Sequence, residues 1–309
     1  MNYLSVCSGI EAATVAWHPL GWTPYAFSEI DTFPSAVLAH HYPTVSNLGD
    51  MTRFKEWPDA RFDLLVGGTP CQSFSVAGLR KGLDDPRGSL LLTYLAIADR
   101  FRPRWIVWEN VPGVLSAGGG RAFGSLLGGL AELGYGFAYR VLDAQYFGLA
   151  QRRKRVFVVG HLGDWRRAAA VLFERASLSW DIASRREAGE ISPTLSSTGA
   201  DSDGDFHASG GLIAHAFDAR QQDVISYGNL GGPLDTDGTS QAVLLDVVIR
   251  RFTPRECERL QGFPDDYTLI DYKGKTAKDG PRYKALGNSM AVPVMRWIGT
   301  RIQLVETLT

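Results

Sequence analysis

Within the first 160 residues, short apolar runs alternate with helical patterns, and few folds accommodate that alternation. Tyr3–Cys7, Pro24–Ser28, Asp63–Val66 (DLLV), Trp105–Trp108 (WIVW) and Arg155–Gly160 (RVFVVG) read as strands. Glu11–Trp17, Phe33–His40, Leu90–Arg100 and Ala122–Leu133 read as the helices between them. Near-continuous apolar strands joined by helices are the signature of a parallel sheet covered on both faces. The expected fold class is therefore α/β, a Rossmann-like, doubly wound sheet, and such sheets bind ligands beyond the carboxyl ends of their strands. At 309 residues the chain has room for one large α/β domain carrying a smaller one.

The pattern changes after about residue 164. From Glu190 to Asp246 the chain is rich in Gly, Ser, Thr and Asp, as in ISPTLSSTGADSDGDFHASGG, and its apolar runs are short and broken. Such a stretch reads as a loop-rich module. Two of its segments, SPTLSSTG and GPLDTDGT, resemble each other faintly and hint at paired hairpins. Regular patterning resumes near Arg250, and Val292–Ile302 reads as an amphipathic helix.

Charge narrows the class less than its distribution does. The formal net charge is −1, yet 25 of the 32 basic residues are Arg. Residues 101–160 carry eight basic residues against three acids, whereas residues 161–248 carry six against thirteen. Arginine suits bidentate contact with phosphates and base edges, although a GC-rich genome enriches it equally well. No run approaches the roughly 18 apolar residues that span a bilayer, so no membrane is expected. MNYLSVCSGI lacks the basic start of a secretory signal. Cys7, Cys71 and Cys257 are odd in number and lack metal-type spacing, which implies a reduced, cytoplasmic setting and no metal.

The chemistry concentrates in three short motifs. GGTPCQSFS (Gly67–Ser75) places a cysteine in a Gly- and Pro-shaped turn directly after a buried strand, where a nucleophile would stand at the sheet edge. A free cysteine is also commonly a small buried hydrophobe, and Pro70-Cys71-Gln72 alone does not separate the two. Glu109-Asn110-Val111 puts an acid at the end of WIVW, either as a cap for the next helix or as a proton donor beside the thiol. QRRKR (Gln151–Arg155) is a solvated basic run or a set of arginines for a carbonyl oxygen and phosphates.

Taken in order, GGTPCQSFS, ENV, QRRKR, RRFTPRECERLQGFP and YKALGNSMAVP resemble the motif series of the DNA cytosine-5 methyltransferase family, bacterial or phage type, over roughly residues 1–164 and 249–295. The resemblance implies a catalytic and cofactor-binding domain over 1–164, a target-recognition domain over 165–281, and a segment 282–309 returning to the first domain. It implies S-adenosyl-L-methionine as cofactor and double-stranded DNA as substrate. The protein is expected to act as a monomer in the cytoplasm, at the nucleoid of a bacterial or phage-infected cell, and possession of a cognate restriction endonuclease is open.

Carried over residue by residue, the resemblance makes Cys71 the nucleophile at cytosine C6 and Glu109 the group at N3, with Arg153 and Arg155 supporting the base oxygen and the acid. The base is flipped from the duplex to be reached. Gln72, Ser73 and Arg87 would meet the flipped nucleotide, and Arg185, Arg186 and Arg220 would read DNA from the variable region. For the cofactor, Cys7, Ser8, Gly9 and Ile10 would form the turn around the methionine moiety. Glu29 would hold the ribose beside Ile30, and Asp50 would meet the adenine beside Met51. Pro70, Leu90, Asn288 and Ser289 would complete the pocket. The family's first motif usually reads F-x-G-x-G; here Glu11 replaces the second glycine. An RNA (tRNA) cytosine-5 methyltransferase and a non-catalytic DNA-binding relative are the alternative readings.

Overall fold

A computed structural model of the chain describes residues 1–69, 90–173 and 248–308, together with the strands at 215–218, 225–226 and 241–245. Its centre is a seven-stranded sheet of order β3-β2-β1-β4-β5-β7-β6. Strands β1 (Asn2–Val6), β2 (Thr23–Ser28), β3 (Ser46–Asn47), β4 (Leu64–Gly67) and β5 (Trp105–Asn110) run parallel. Their residues explain the placement: β4 and β5 are buried along their whole length, which apolar runs such as LLV and WIVW permit. The chain leaves β1 toward β2 on one side and returns through β4 on the other. The reversal opens a crevice at the carboxyl edge of β1 and β4.

Two strands depart from the expected pattern. Tyr135–Asp143 forms β6, which the sequence reading omits, and Lys154–Leu162 forms β7, which runs antiparallel to both β5 and β6. An antiparallel return needs no crossover helix, and only a 3-10 turn at Ala144–Phe147 lies between the two strands. The expectation of a closing parallel strand is thereby corrected.

Helices cover both faces. On one face α1 (Ala12–Trp17), α5 (Trp165–Leu172) and α8 (Val292–Thr307) pack over a cluster containing Trp17, Trp105, Val159, Val171 and Ile298. On the other, α3 (Leu90–Phe101) and α4 (Arg121–Glu132) cover Leu65, Tyr94, Ile106, Leu126 and Val158. Trp17 ties the first helix to the last: its indole Nε1 donates to the Met295 carbonyl at 2.7 Å and its ring meets Tyr3 edge-on. No helix among the described residues is long and apolar enough to cross a membrane.

Residues at both ends of the segment expected to form the recognition domain pack on the main body. Helix α5 lies on β6 and β7, and Ala168, Val171 and Leu172 are in the main core. Residues 253–281 also join the main body: helix α6 (Pro254–Gln261) opens with a Thr253/Glu256 capping box, and Cys257, Phe263, Tyr267 and Ile270 are core residues. Behind them Glu258 is wholly buried and accepts from the backbone of Asp266 (2.7 Å) and Thr268 (2.9 Å), from the Thr268 hydroxyl and from Arg282 of helix α7 (Asp279–Asn288) at 3.2 Å. A separate four-stranded antiparallel sheet consists of β8 (His215–Asp218), β9 (Ile225–Ser226), β10 (Gln241–Leu245) and β11 (Val248–Arg251), ordered β11-β10-β8-β9. The two similar segments that hint at hairpins lie outside the described residues.

The close approach of α1 and α8 depends on Gly299, where an added Cβ would fall 2.4 Å from Trp17 Nε1 and 2.5 Å from its Cδ1. Trp17 is fully buried and cannot retreat. Gly299→Ala should therefore cost about 1–3 kcal/mol by overpacking, seen as a lower urea midpoint at an unchanged slope; a midpoint equal to that of the parent would show the contact to be looser than this.

Candidate active site at the carboxyl edge of the sheet

The turn after β1 is built from alternating left-handed residues: Cys7 (φ 49), Gly9 (φ 57) and Glu11 (φ 65). Glycine adopts this region freely, whereas for other residues it costs on the order of 1–2 kcal/mol. Gly9 has nothing within 4 Å of a notional Cβ, so its backbone faces open space. Its N–H donates to Glu29 Oε2 at 2.7 Å, and Glu29 Oε1 accepts from the N–H groups of Ile30 (2.8 Å) and Asp31 (2.7 Å). The Glu29 carboxylate is thus fixed beyond β2 by main-chain donors, while the side chains of Asn47 and Ser35 bond its backbone.

One cavity of about 870 Å³ runs along this edge. Cys7, Gly9, Glu29, Ile30, Asp50 and Met51 line one part of it; Leu90, Glu109, Arg153, Arg155 and Asn288 line another. Ile30 is 72% exposed, an apolar side chain beside the Glu29 carboxylate. Asp50 caps the following turn, with Oδ1 accepting from Thr52 N (2.9 Å) and Oγ1 (2.8 Å). Cys7 Sγ lies 3.5 Å from Met51 Sδ, and burial, ahead of the charges of Glu29 and Asp50, pushes its thiol up to about 12.

Three residues expected in the pocket are placed differently. Ser8 faces a smaller cavity and its hydroxyl donates to the Ser5 carbonyl (3.0 Å) while accepting from Ser28 N (3.1 Å), stitching β1 to β2. The Ile10 side chain is in the core, and its carbonyl accepts from Tyr267 Oη at 3.0 Å. Ser289 lines the smaller cavity, and its carbonyl serves Arg153. Pro70, Cys71, Gln72, Ser73 and Arg87 lie outside the described residues, as do Arg185, Arg186 and Arg220.

The second half of the cavity is electrostatic. Glu109 is the penultimate residue of β5 and pairs with Arg155 Nε at 3.1 Å. Val111, not Glu109, precedes the next turn of helix, so the capping alternative does not hold. Arg153 is buried. Its Nη2 donates to the carbonyls of Gly287 (2.9 Å) and Ser289 (2.6 Å), while its Nε and Nη1 find no partner among the described residues. Burial holds the Glu109 carboxyl above its ordinary range even though Arg155 and Arg153 both oppose this. Burial likewise draws Arg153 down to about 9 and lowers Arg155. A buried acid with a raised proton affinity, next to unspent guanidinium donors, can give a hydrogen bond to a ring nitrogen while a neighbouring oxygen is held.

Sequence reasoning missed several supports. Thr69, which leads into the Cys71 segment, accepts from Trp108 Nε1 at its hydroxyl (3.0 Å) and from Asn110 Nδ2 at its carbonyl (2.8 Å). Asn110 was legible as part of ENV, but its partner was not. Gly68, within GGTPCQSFS, lines both cavities, and the phenol of Tyr267, which nothing in its spacing marks, supports the turn from behind at Ile10.

The sequence profile of the C-5 cytosine-specific DNA methylases matches residues 1–202 and 216–304. A DNA N-6-adenine-methyltransferase of Escherichia phage P1 is 36% identical over 97% of this chain, which spans 61% of that protein's length. Type II methyltransferase M2.BsuMI of Bacillus subtilis is 31% identical over 98% of this chain and 75% of its own. Among solved structures, the S. pombe Dnmt2 methyltransferase has a TM-score of 0.66 at 17% identity, covering 100% of this chain and 99% of its own; the likeness is one of fold.

Gly68 offers a direct test of the geometry. A Cβ there would fall 2.8 Å from Glu109 Oε2, the movable end of a side chain, and 3.4 Å from Met290 Cε. Gly68→Ala should therefore fold with nearly unchanged stability yet displace the carboxylate. Methyl transfer to DNA should fall by about 10²-fold, the usual effect of a misplacement near 1 Å, with cofactor affinity retained. Full activity in Gly68→Ala would detach Glu109 from the chemistry.

Proposed function

Because the chain belongs to the C-5 cytosine-specific DNA methylase family, we propose that it methylates C5 of a flipped-out cytosine in a specific duplex DNA sequence, with S-adenosylmethionine as donor and Cys71 as nucleophile. The observation that carries this reading is Glu109: a buried carboxyl of raised proton affinity, gripped by Arg155, at the sheet edge where β4 leads toward Cys71.

Cytosine C5 is a weak nucleophile within an aromatic ring. Addition of the Cys71 thiolate at C6 makes C5 enamine-like, provided that N3 is protonated or strongly hydrogen-bonded as electrons enter the ring. Glu109 supplies that proton, and Arg155 keeps its carboxyl turned toward the base. The Nε and Nη1 of Arg153, without a partner among the described residues, are suited to the exocyclic oxygen. Loss of the C5 proton afterwards restores aromaticity and expels the Cys71 sulfur. The bound cofactor supplies an electrophilic methyl on a sulfonium. Glu29 would hold its ribose, Ile30, Asp50 and Met51 would surround its adenine, and the turn at Cys7–Gly9 with Asn288 would take its methionine end. The open backbone at Gly9 and the exposed Ile30 fit that group.

Sequence choice is assigned to residues 174–251, the stretch that contains the separate four-stranded sheet. Exchanging this segment for that of a relative should change the methylated sequence and leave the chemistry intact; an active chimera of unchanged specificity would contradict the assignment. The relatives named Type II methyltransferases make a paired restriction endonuclease the partner to seek.

The covalent step has a sharper test. Fluorine at C5 cannot leave as a cation, so DNA bearing 5-fluorocytosine at the target should trap the protein as a complex stable to denaturing gels, with the base mapped to Cys71. Adduct on Cys7 or Cys257, or none despite methylation of ordinary cytosine, would overturn the mechanism. Methyl groups found on adenine N6, the position in the phage P1 relative's name, or on tRNA, would overturn the substrate.

A further inference from the structure

Glu11 has no part in the chemistry of the base, yet it is the most deeply buried acid at the cofactor turn, 1% exposed and left-handed in backbone. Its Oε2 accepts from Ser5 Oγ at 2.8 Å and its Oε1 from Thr14 Oγ1 at 3.2 Å, and the Thr14 hydroxyl meets Tyr3 Oη at 2.6 Å. Among the described residues no cation pairs with it. A small cavity of about 40 Å³ lies under the turn, lined by Glu11 and Glu109 together with Gly68, Asn288 and Ser289. Cys7, Gly9, Gly68, Glu109 and Asn288 line both this cavity and the large one, so the two meet at the Glu109 end of the turn.

On the proposed reading the transferred methyl would have to reach a base held by Glu109, which would bring the positive sulfonium near that same junction. We infer that Glu11 is a positioning residue whose buried carboxylate lies beneath the sulfonium and makes the pocket prefer the cationic methyl donor over its neutral thioether product. An uncompensated negative charge in a low-dielectric wall acts over several ångströms, and donor and product differ there by one unit of charge. This rests on the proposed cofactor site.

The groups facing Glu11 are Tyr3 on β1, Thr14 on α1, Tyr42 after α2 (Thr32–His41) and Tyr267 after α6, with Cys7, Glu29 and Glu109 around the cavities. Burial, against the hydrogen bonds of Ser5 and Thr14, pushes the Glu11 carboxyl up to about 7. It is therefore ionised above that pH and neutral below it. The sulfonium lowers the amino pKa of the donor relative to that of the product, so the pH response of the parent is read against that of Glu11→Gln, in which this contribution is the same.

Calorimetry on the full chain with S-adenosylmethionine, S-adenosylhomocysteine and an analogue bearing an amine in place of the sulfonium tests this. Glu11→Gln should weaken both cationic ligands by about tenfold and the neutral product by roughly twofold at most. In the parent, preference for donor over product should grow from about pH 6 to about pH 8, across the Glu11 value of about 7; in Glu11→Gln only the amino contribution should remain. Equal loss for all three ligands would make Glu11 a scaffold residue only, and unchanged affinities would remove it from the site. If Glu11→Gln fails to fold, a parent ratio that responds to pH only as the amino groups do overturns the inference by itself. Glu29→Ala, which should weaken all three ligands through their common ribose, separates the readings: no effect there would fault the pocket rather than Glu11.

Discussion

The site depends on a single topological fact, the insertion of β7 antiparallel between β5 and β6. In a wholly parallel sheet the start of the last strand would lie at the amino edge, remote from Glu109. Reversal pairs Glu109 with Phe157 and Asn110 with Val156, so Arg155 and Arg153 emerge at the carboxyl edge beside the acid. Burial penalises every charge gathered there, and mutual attraction compensates only in part. Hence Glu109 rises while both arginines fall. Such a group of residues is poised to exchange protons and hydrogen bonds with a ligand, which a surface ion pair in water is not.

The second wall of the site comes from the far end of the sequence. Arg153 is held by carbonyls of Gly287 and Ser289, Ile10 by the phenol of Tyr267, and Trp17 by the carbonyl of Met295. Each bond joins segments more than a hundred residues apart. Residues 253–308 meet the first part of the chain through these bonds, and a buried network around Glu258 and Arg282 holds that segment's own shape. An uncompensated Glu258 would be a buried charge; with its backbone and guanidinium donors in place it fixes the geometry of that segment.

Much of this was legible in the residues themselves. Runs such as DLLV and WIVW identify interior strands because little that is polar interrupts them, and Glu109 stands near the end of one of them, in β5. Strand β6 escaped because YGFAYRVLD sits at a sheet edge, half exposed, with Arg140 and two tyrosines diluting its period. The direction of β7 escaped because RVFVVG looks the same in either orientation; only the short connection after residue 143 distinguishes them. Ser8 and Ile10 were assigned to a ligand by their place in the motif, whereas the side chain of one stitches two strands and that of the other fills the core. Short motifs locate a turn well but do not say which of its atoms face outward.

Replacement of a glycine by Glu11 shows how a local departure can be absorbed. A left-handed residue with a side chain is strained, and a buried carboxylate without a cation is costly, so either alone would weaken the turn. Together they are compatible, because the left-handed backbone turns the carboxylate inward to Ser5 and Thr14 instead of toward solvent. The two hydroxyls satisfy its oxygens, and Tyr267 secures the preceding carbonyl from the opposite side. The turn thereby exchanges the freedom of glycine for a fixed frame, with the Gly9 backbone as its open face. A pocket wall made this way is set before any ligand arrives, and its shape depends on hydrogen bonds beneath the surface rather than on contacts at it.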